Sequence, residues 1–321
     1  MLDIKFIREN PDVLRKAIEV KNAKFDLDAL LAVDKEVVAL KTQLQELQAS
    51  RNAHSKKIPK ASKEERPALI EEGRKIGNEV DAIKPILAEK EATYKDLMYQ
   101  VPNIPSADAP LGNSEEDNVE IKKSGSLPNF DFKPLDHVEI LEKNQWADFE
   151  KVSQVCGSRS YSLRNDMVLL ELAVHRYAME ILQKKGFTLV SFPAFVREEA
   201  LYGTGHLPKG RDQVYELPEH DLHLSGTAEV QANSLHAGEI FSESDLPILY
   251  AGYSTCFRSE AGSYGRDVRG LIRVHQFMKV EQYIICKNDE AESKMWHDKL
   301  LETSIEIVEG LELPYRVVEC C

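Results

Sequence analysis

The first long pattern in the chain places apolar residues at Leu30, Val33, Val37, Leu40, Leu44 and Leu47, in steps of 3, 4, 3, 4 and 3. That is the heptad spacing of a coiled-coil seam, and it predicts a long helix opening near Asp26. Before it, Asn10-Pro11 reads as an N-cap followed by proline at the first helical position. A polar stretch from Ser50 to Arg66, containing Pro59, interrupts the pattern. The spacing then resumes through Leu69, Gly73, Ile76, Val80, Ile83, Leu87, Lys90, Tyr94, Leu97 and Val101, with Gly73 and Lys90 as weak seam positions. Pro85 lies inside this second run and predicts a kink rather than an end. Two heptad runs joined by one turn bury each other's seams as an antiparallel hairpin, here spanning about residues 27–100. Arms of about 30 residues, rising ~1.5 Å each, reach about 45 Å.

Beyond about residue 105 the pattern changes. Residues 106–135 are rich in Pro, Ser, Asn and Asp and read as a linker between a helical arm (1–105) and a second domain (136–321). In that domain Asp166 to Lys184 has helical spacing, stopped by Gly186. Phe187 to Phe192 reads as a strand ending at Pro193, Leu246 to Ala251 and Val280 to Cys286 as further strands, and Asp289 to Val308 as a helix. Neighbouring strands without regular βα alternation predict an α+β fold built on an antiparallel sheet.

Composition adds three constraints. No run approaches the ~20 apolar residues that cross a bilayer, and the N-terminus lacks the apolar core of a secretory signal, so no membrane role and a cytoplasmic location are expected. The five cysteines form no C-x-x-C pair, so neither a disulfide framework nor a zinc site is expected. The net charge is −13, which is unusual for a nucleic-acid binder, yet a local basic patch still docks a phosphate backbone. One such patch lies at the hairpin tip. Arg51, Lys56, Lys57, Lys60, Lys63 and Arg66 face only Glu64 and Glu65 there. A basic tip on a long arm suits a phosphate backbone, but loop tips also need charge for solubility, and the pattern alone leaves both readings open.

The densest chemistry is the run Phe257 to Glu281. From Arg258 to Lys279 it holds five basic and two acidic residues, with three glycines between strand-like flanks. It predicts a hairpin whose returning strand carries Arg273, His275, Phe277, Lys279 and Glu281 on one face at period two. Such a face makes a poor core and a good floor for an anionic ligand with a planar base: arginine pairs with phosphate oxygens and phenylalanine stacks on a ring. A solvated hairpin with cross-strand ion pairs is the alternative, but it leaves the glycines and Phe277 unexplained.

This run resembles motif 2 of the class II aminoacyl-tRNA synthetases in its seryl form. Thr227-Ala228-Glu229 resembles the serine-binding loop of bacterial-type seryl-tRNA synthetases, and Gly186 to Pro193 resembles motif 1, whose proline ends a strand at a dimer interface. The opening residues Met1 to Pro11 and the basic-tipped hairpin are also similar to that family, so the resemblance covers the whole chain. It implies a serine–tRNA ligase, a homodimer that activates L-serine with ATP and Mg²⁺ and transfers it to tRNA(Ser); whether tRNA(Sec) is also charged stays open. It further implies that Arg258 and Glu281 are catalytic. Arg258, Ser259, Glu260, Arg273, Val274 and Phe277 would bind ATP. Thr227, Ala228, Glu229, Arg258 and Glu281 would bind serine, and Arg51, Lys56, Lys57, Lys60, Lys63 and Arg66 would bind tRNA. No protein side chain of this chain is implied as a metal ligand. His275 reads as structural, because carboxylate attack on ATP needs no proton removed. Met278 stands where the family often has a polar residue. His206 and Lys209 fit either a lid or a solvated loop.

The chain stops at Cys321 in what reads as the start of a strand, whereas the resemblance implies roughly another hundred residues carrying motif 3. A C-terminally truncated synthetase is therefore expected. The alternatives are a non-catalytic paralogue that binds tRNA without activating serine, and a coiled-coil interaction protein whose second domain is scaffold.

Overall fold

The structure, a computed structural model, describes residues 2–262 and 269–321. It forms two compact units, residues 1–119 with 319–321, and residues 120–318.

In the first unit, α1 (Ile4–Glu9) and α2 (Pro11–Val20) precede the long helices α3 (Leu27–Lys57) and α4 (Arg66–Gln100). Pro11 sits at the first position of α2, and the Asp26 side chain caps α3 by accepting from the Ala29 N–H. Ile7, Leu14 and Leu30 are fully buried with Ala17, Leu27 and Met98, forming a core at the open end of the hairpin. Along the seam Val37, Val80, Ile83 and Leu87 are buried at the positions the heptads predict. Asp34 is buried beside them, and Arg8 grips it with both prongs, Nε to Oδ2 at 2.6 Å and Nη2 to Oδ1 at 2.7 Å.

The weak seam positions have specific partners. A Cβ on Gly73 would lie 3.8 Å from the ring of buried His54, an ordinary contact distance, so the imidazole packs beside the glycine. Lys90 pairs across the hairpin with Glu36 at 2.5 Å. The polar stretch Ser50–Arg66 differs from expectation: α3 continues through it to Lys57, because polarity alone does not break a helix. Only Pro59 does so, inside a 3-10 turn at Ile58–Lys60. Arg66 closes the tip by donating to the carbonyls of Ala61 and Pro59. α4 runs through Pro85 without ending.

The second unit opens on β1 (Val119–Ser124), then α5 (His137–Lys143), β2 (Ala147–Asp148), α6 (Glu150–Cys156), β3 (Ser162–Leu163) and α7 (Asp166–Lys184). There follow β4 (Thr188–Ser191), β5 (Phe195–Val196), α8 (Glu198–Gly203), β6 (Tyr215–Leu217), β7 (Leu222–Leu224) and α9 (Glu229–Ser234). The long strands β8 (Ile248–Phe257) and β9 (Gln276–Ile285), α10 (Glu290–Gly310) and β10 (Tyr315–Glu319) complete it. β1 pairs with β10, so the stretch read as linker, 106–135, contains a strand; its low hydrophobicity hid it.

The main sheet has the order β4-β8-β9. β8 and β9 are antiparallel, as expected, but β4 runs parallel to β8. The parallel pair is possible because the whole β5–α9 segment intervenes, and parallel neighbours need such a crossover. Leu182, Phe187 and Ala251 form the buried core between α7 and the sheet, joined by Leu249, Val280, Ile284 and Leu300. The N-terminal half of α7 instead exposes Leu169, Leu170 and Leu172. A second sheet, β5-β7-β6, packs with α8 and α9 around Val196, Leu201, Leu207 and Val230.

Removing Arg8 would leave the Asp34 carboxylate buried without its cation. Arg8→Ala is expected to destabilise the helical unit by about 2 kcal/mol, read as a lower urea midpoint of its helical signal, whereas Arg15→Ala, on the exposed pair with Asp28, shifts it by less than about 0.5 kcal/mol.

Candidate active site

The long β8–β9 ladder fixes the geometry. Its register sets Gly252 opposite Glu281, Ser254 opposite Lys279 and Cys256 opposite Phe277. Large functional side chains on β9 thus alternate with small residues on β8. Gly252 is required for close packing: a Cβ there would sit 2.8 Å from that of buried Ala228 and 3.1 Å from the Phe192 ring. Phe277, Lys279 and Glu281 share one face, as period two predicts. Arg273 and His275 do not belong to that strand, because β9 begins only at Gln276. Residues 263–268, the middle of the glycine-rich loop, lie outside the described residues.

The Thr227-Ala228-Glu229 loop meets this face. The Thr227 hydroxyl donates to Glu281 Oε2 at 2.6 Å, and the Glu229 backbone N–H donates to the same oxygen at 3.0 Å. Lys279 Nζ reaches Glu281 Oε1 at 2.9 Å and Thr227 Oγ1 at 2.7 Å. Burial pushes the Glu281 carboxyl up, but the hydrogen bonds from Lys279 and Thr227, the Lys279 charge and the Glu229 N–H outweigh it and hold the group below its usual value. Glu281 is therefore an anion with a fixed orientation. The Ala228 side chain packs against Gly252, so it contributes shape to the sheet side of the loop.

Sequence reasoning missed what supports this loop. Buried Ser225 donates its hydroxyl to the Thr227 carbonyl at 2.6 Å, and Gln231 donates to the Pro193 carbonyl at 2.6 Å. These polar residues flank the Thr-Ala-Glu triplet, and their burial was the signal that a single sequence does not display. Tyr283, next along the β9 face, donates to Asn233 at 2.8 Å; burial and the nearby Glu229 charge push its phenol up.

Arg258 follows directly on β8. Its guanidinium lies over the Phe277 ring, 5.3 Å from the centroid. It also packs over Gly226, where an added Cβ would come within 3.2 Å of Arg258 Cγ. One glycine thus brings the Arg258 side chain within a residue of the Thr227–Glu281 cluster. Ser259 is engaged with the 211–213 segment: its N–H donates to the Gln213 carbonyl at 3.0 Å and its hydroxyl to that of Asp212. Glu260 adopts φ +50° and its carboxylate receives Arg273 Nη1 at 2.9 Å. Val274 is buried. His275 Nδ1 lies 3.1 Å from the Arg258 carbonyl oxygen, its ring edge-on to Tyr215. Met278 Sδ accepts from the Thr255 hydroxyl at 3.1 Å on the opposite face of the strand. His206 contacts Thr204 at 2.9 Å in a loop anchored by fully buried Leu207.

An arginine stacked over an aromatic ring, beside an oriented carboxylate on an antiparallel strand pair, fits the class II aminoacyl-tRNA synthetase core that the resemblance implied. The family profile "tRNA synthetase class II core domain (G, H, P, S and T)" matches residues 214–321, and "Seryl-tRNA synthetase N-terminal domain" matches residues 1–105. The whole chain is 52% identical to the serine–tRNA ligase of Deinococcus radiodurans, covering 76% of that protein, and 40% identical to that of Dictyoglomus turgidum, again covering 76%. The solved structure of Pyrococcus horikoshii seryl-tRNA synthetase complexed with ATP superposes with a TM-score of 0.88 at 34% identity, over 100% of this chain and 77% of that one. The Naegleria fowleri cytoplasmic serine–tRNA ligase in complex with AMP gives 0.82 at 29% identity, over 99% and 74%. The chain belongs to the seryl-tRNA synthetases, the serine–tRNA ligase family.

The hydrogen bonds on Glu281 predict a pH signature. A carboxyl held low in the folded state adds stability that is fully present above its unfolded value of about 4.5 and is lost as pH falls through the lower folded value. Lys279→Met is therefore expected to cost about 1–2 kcal/mol at pH 7, with the difference from wild type shrinking at pH 3, measured by urea unfolding at both pH values.

Proposed function

We propose that this chain binds ATP and L-serine on the Arg258–Glu281 face and activates serine for transfer to tRNA(Ser). The observation that carries this reading is the Glu281 carboxylate, held by Thr227, the Glu229 N–H and Lys279 beside Arg258 and Phe277. An ammonium and a hydroxyl are the groups such a carboxylate takes. Alanine offers no hydroxyl and would leave the polar wall unmatched, which gives strong rejection. The ATP and AMP complexes of the related structures support nucleotide binding; the stacked pair of Arg258 and Phe277 offers a cation for phosphates and a ring for adenine.

In this reading the serine carboxylate oxygen attacks the α-phosphorus of ATP in line. A P–O bond forms, the bond to the β-phosphate bridging oxygen breaks, and pyrophosphate leaves; no proton moves. Arg258 neutralises the α-phosphate and the attacking carboxylate together, and its stack on Phe277 fixes its plane. Glu281 and Thr227 orient the amino acid by its ammonium and hydroxyl. Glu260 reads the adenine edge, with Val274 closing one side of the base site, while Arg273 serves the outer phosphates. Ser259 acts by tying the strand to Asp212 and Gln213. Mg²⁺ would travel with the ATP phosphates. Among the described residues no three His, Cys, Asp or Glu side chains gather to hold a metal, and Glu260 is engaged by Arg273, so no step is assigned to it.

The terminal ribose hydroxyl of the tRNA then attacks the seryl carbonyl carbon: an ester C–O bond forms, the acyl–phosphate C–O bond breaks, AMP leaves and the hydroxyl proton is released. The hairpin tip, with Arg51, Lys56, Lys57, Lys60, Lys63 and Arg66, suits the tRNA backbone; Arg66 is divided between that task and closing the turn. The exposed leucines of α7 suit a second copy of the chain, giving a homodimer. Among the described residues no helix is long and apolar enough to cross a membrane.

Calorimetric titration with a non-hydrolysable seryl-adenylate analogue tests the reading. Wild type is expected to bind, Arg258→Ala to weaken binding by about 100-fold or more, and Phe277→Ala by about tenfold, the value of one base stack. Binding unchanged by Arg258→Ala would exclude this face as the adenylate site.

A further inference from the structure

We infer that Arg159, which lies about a hundred residues before motif 2 in a loop between α6 and β3, is a positioning residue that sets the adenine reader Glu260. The inference rests on the proposed ATP site. Motif 2 leaves its ladder at both ends of the loop: β8 ends at Phe257 and β9 starts at Gln276. The residues proposed to meet adenine, Glu260 and Val274, stand outside the regular hydrogen bonding that fixes the rest of the sheet. Within the pair, Arg258 N–H donates to the His275 carbonyl at 3.0 Å, which is the last rung.

Arg159 supplies the next one from outside. Its Nη1 donates to the Glu260 carbonyl at 2.7 Å, and its own carbonyl accepts the His275 N–H at 3.2 Å. One residue thus grips the outgoing limb through its side chain and the returning limb through its backbone. The grip falls where strain has to be held. Glu260 sits at φ +50°, a left-handed conformation that is strained for a non-glycine residue and persists only when surroundings impose it. With its backbone fixed by Arg159 and its carboxylate by Arg273 at 2.9 Å, Glu260 has both ends of its side chain defined. A carboxylate that discriminates the adenine amino group from the guanine carbonyl depends on such placement.

Arg159 itself adopts φ +56°, and its guanidinium lies close enough to Tyr215 to lower that phenol against the upward effect of burial. The same tyrosine ring meets His275 edge-on. Arg159, Tyr215 and His275 therefore form one bracket beneath the loop. Arg159 grips Glu260 at its main-chain carbonyl, so its effect belongs to base selection and not to serine recognition at the Thr227–Glu281 cluster.

The test compares the binding of ATP, GTP and L-serine by wild type, Arg159→Ala and Arg159→Gln, with circular dichroism confirming the fold. Gln keeps a polar donor but is too short to span the gap, and it provides the reading should Ala fail to fold. The expected result is about tenfold weaker ATP binding, GTP binding within about twofold of wild type, and hence a collapsed ATP-to-GTP ratio, with serine binding unchanged. ATP and GTP weakened in equal proportion, or an unchanged ratio, would overturn the inference by showing only a structural role or none. Failure of wild type to bind ATP at all would instead overturn the proposed ATP site, and is read separately in the unsubstituted chain.

Discussion

The register of the β8–β9 ladder is the constraint on which the rest of the site depends. Pairing Gly252 with Glu281, Ser254 with Lys279 and Cys256 with Phe277 puts every long functional side chain of β9 opposite a small residue of β8. A slip of one residue would turn Phe277, Lys279 and Glu281 to the helix-packed face and bring Met278, Val280 and Gln282 outward. The core guards against that slip, because Val280 and Ile284 pack with Leu182, Phe187 and Ala251. Burial on one face of the strand therefore fixes the chemistry on the other.

That register also brings remote segments together. Thr227 and Glu229 lie more than fifty residues before Glu281, yet they donate to a single oxygen of its carboxylate. The cluster keeps an anion half-buried by surrounding it with donors, which offset the upward push of burial on the carboxyl. Gly226 and Gly252 allow this for different reasons: the first lets Arg258 lie close to the loop, the second lets Ala228 close on the sheet. In both places glycine is chosen for close approach rather than for flexibility.

Much of the fold was legible in the sequence because its strongest signals are local. The heptad steps place α3 and α4, and the spacing from Asp166 to Lys184 gives α7 with its observed ends. The family resemblance, carried by Thr227 to Glu229 and Phe257 to Glu281, pointed to residues that lie together beside the β8–β9 pair. What stayed hidden is non-local. Nothing around His54 announces that it is buried beside Gly73, and nothing around Asp34 announces Arg8 as its partner. β1 was hidden because its strand is exposed and its alternation is confined to Val119-Glu120-Ile121-Lys122, too short to stand out in a polar stretch. The start of β9 was placed too early because period two continued through Arg273 and His275, although those residues hydrogen-bond outside the ladder. Lys279 was visible as a face residue, but its place between Thr227 and Glu281 needed coordinates.

The account's central claim is that Glu281 anchors the amino acid while Arg258 and Phe277 hold the nucleotide. The most direct measurement is calorimetric titration of L-serine into the chain saturated with a non-hydrolysable ATP analogue, comparing wild type with Glu281→Gln. The account predicts that serine affinity falls by about 100-fold, in line with the loss of one charge from a hydrogen-bonded pair, while affinity for the ATP analogue changes by less than about twofold. Serine binding that survives the substitution intact would contradict it.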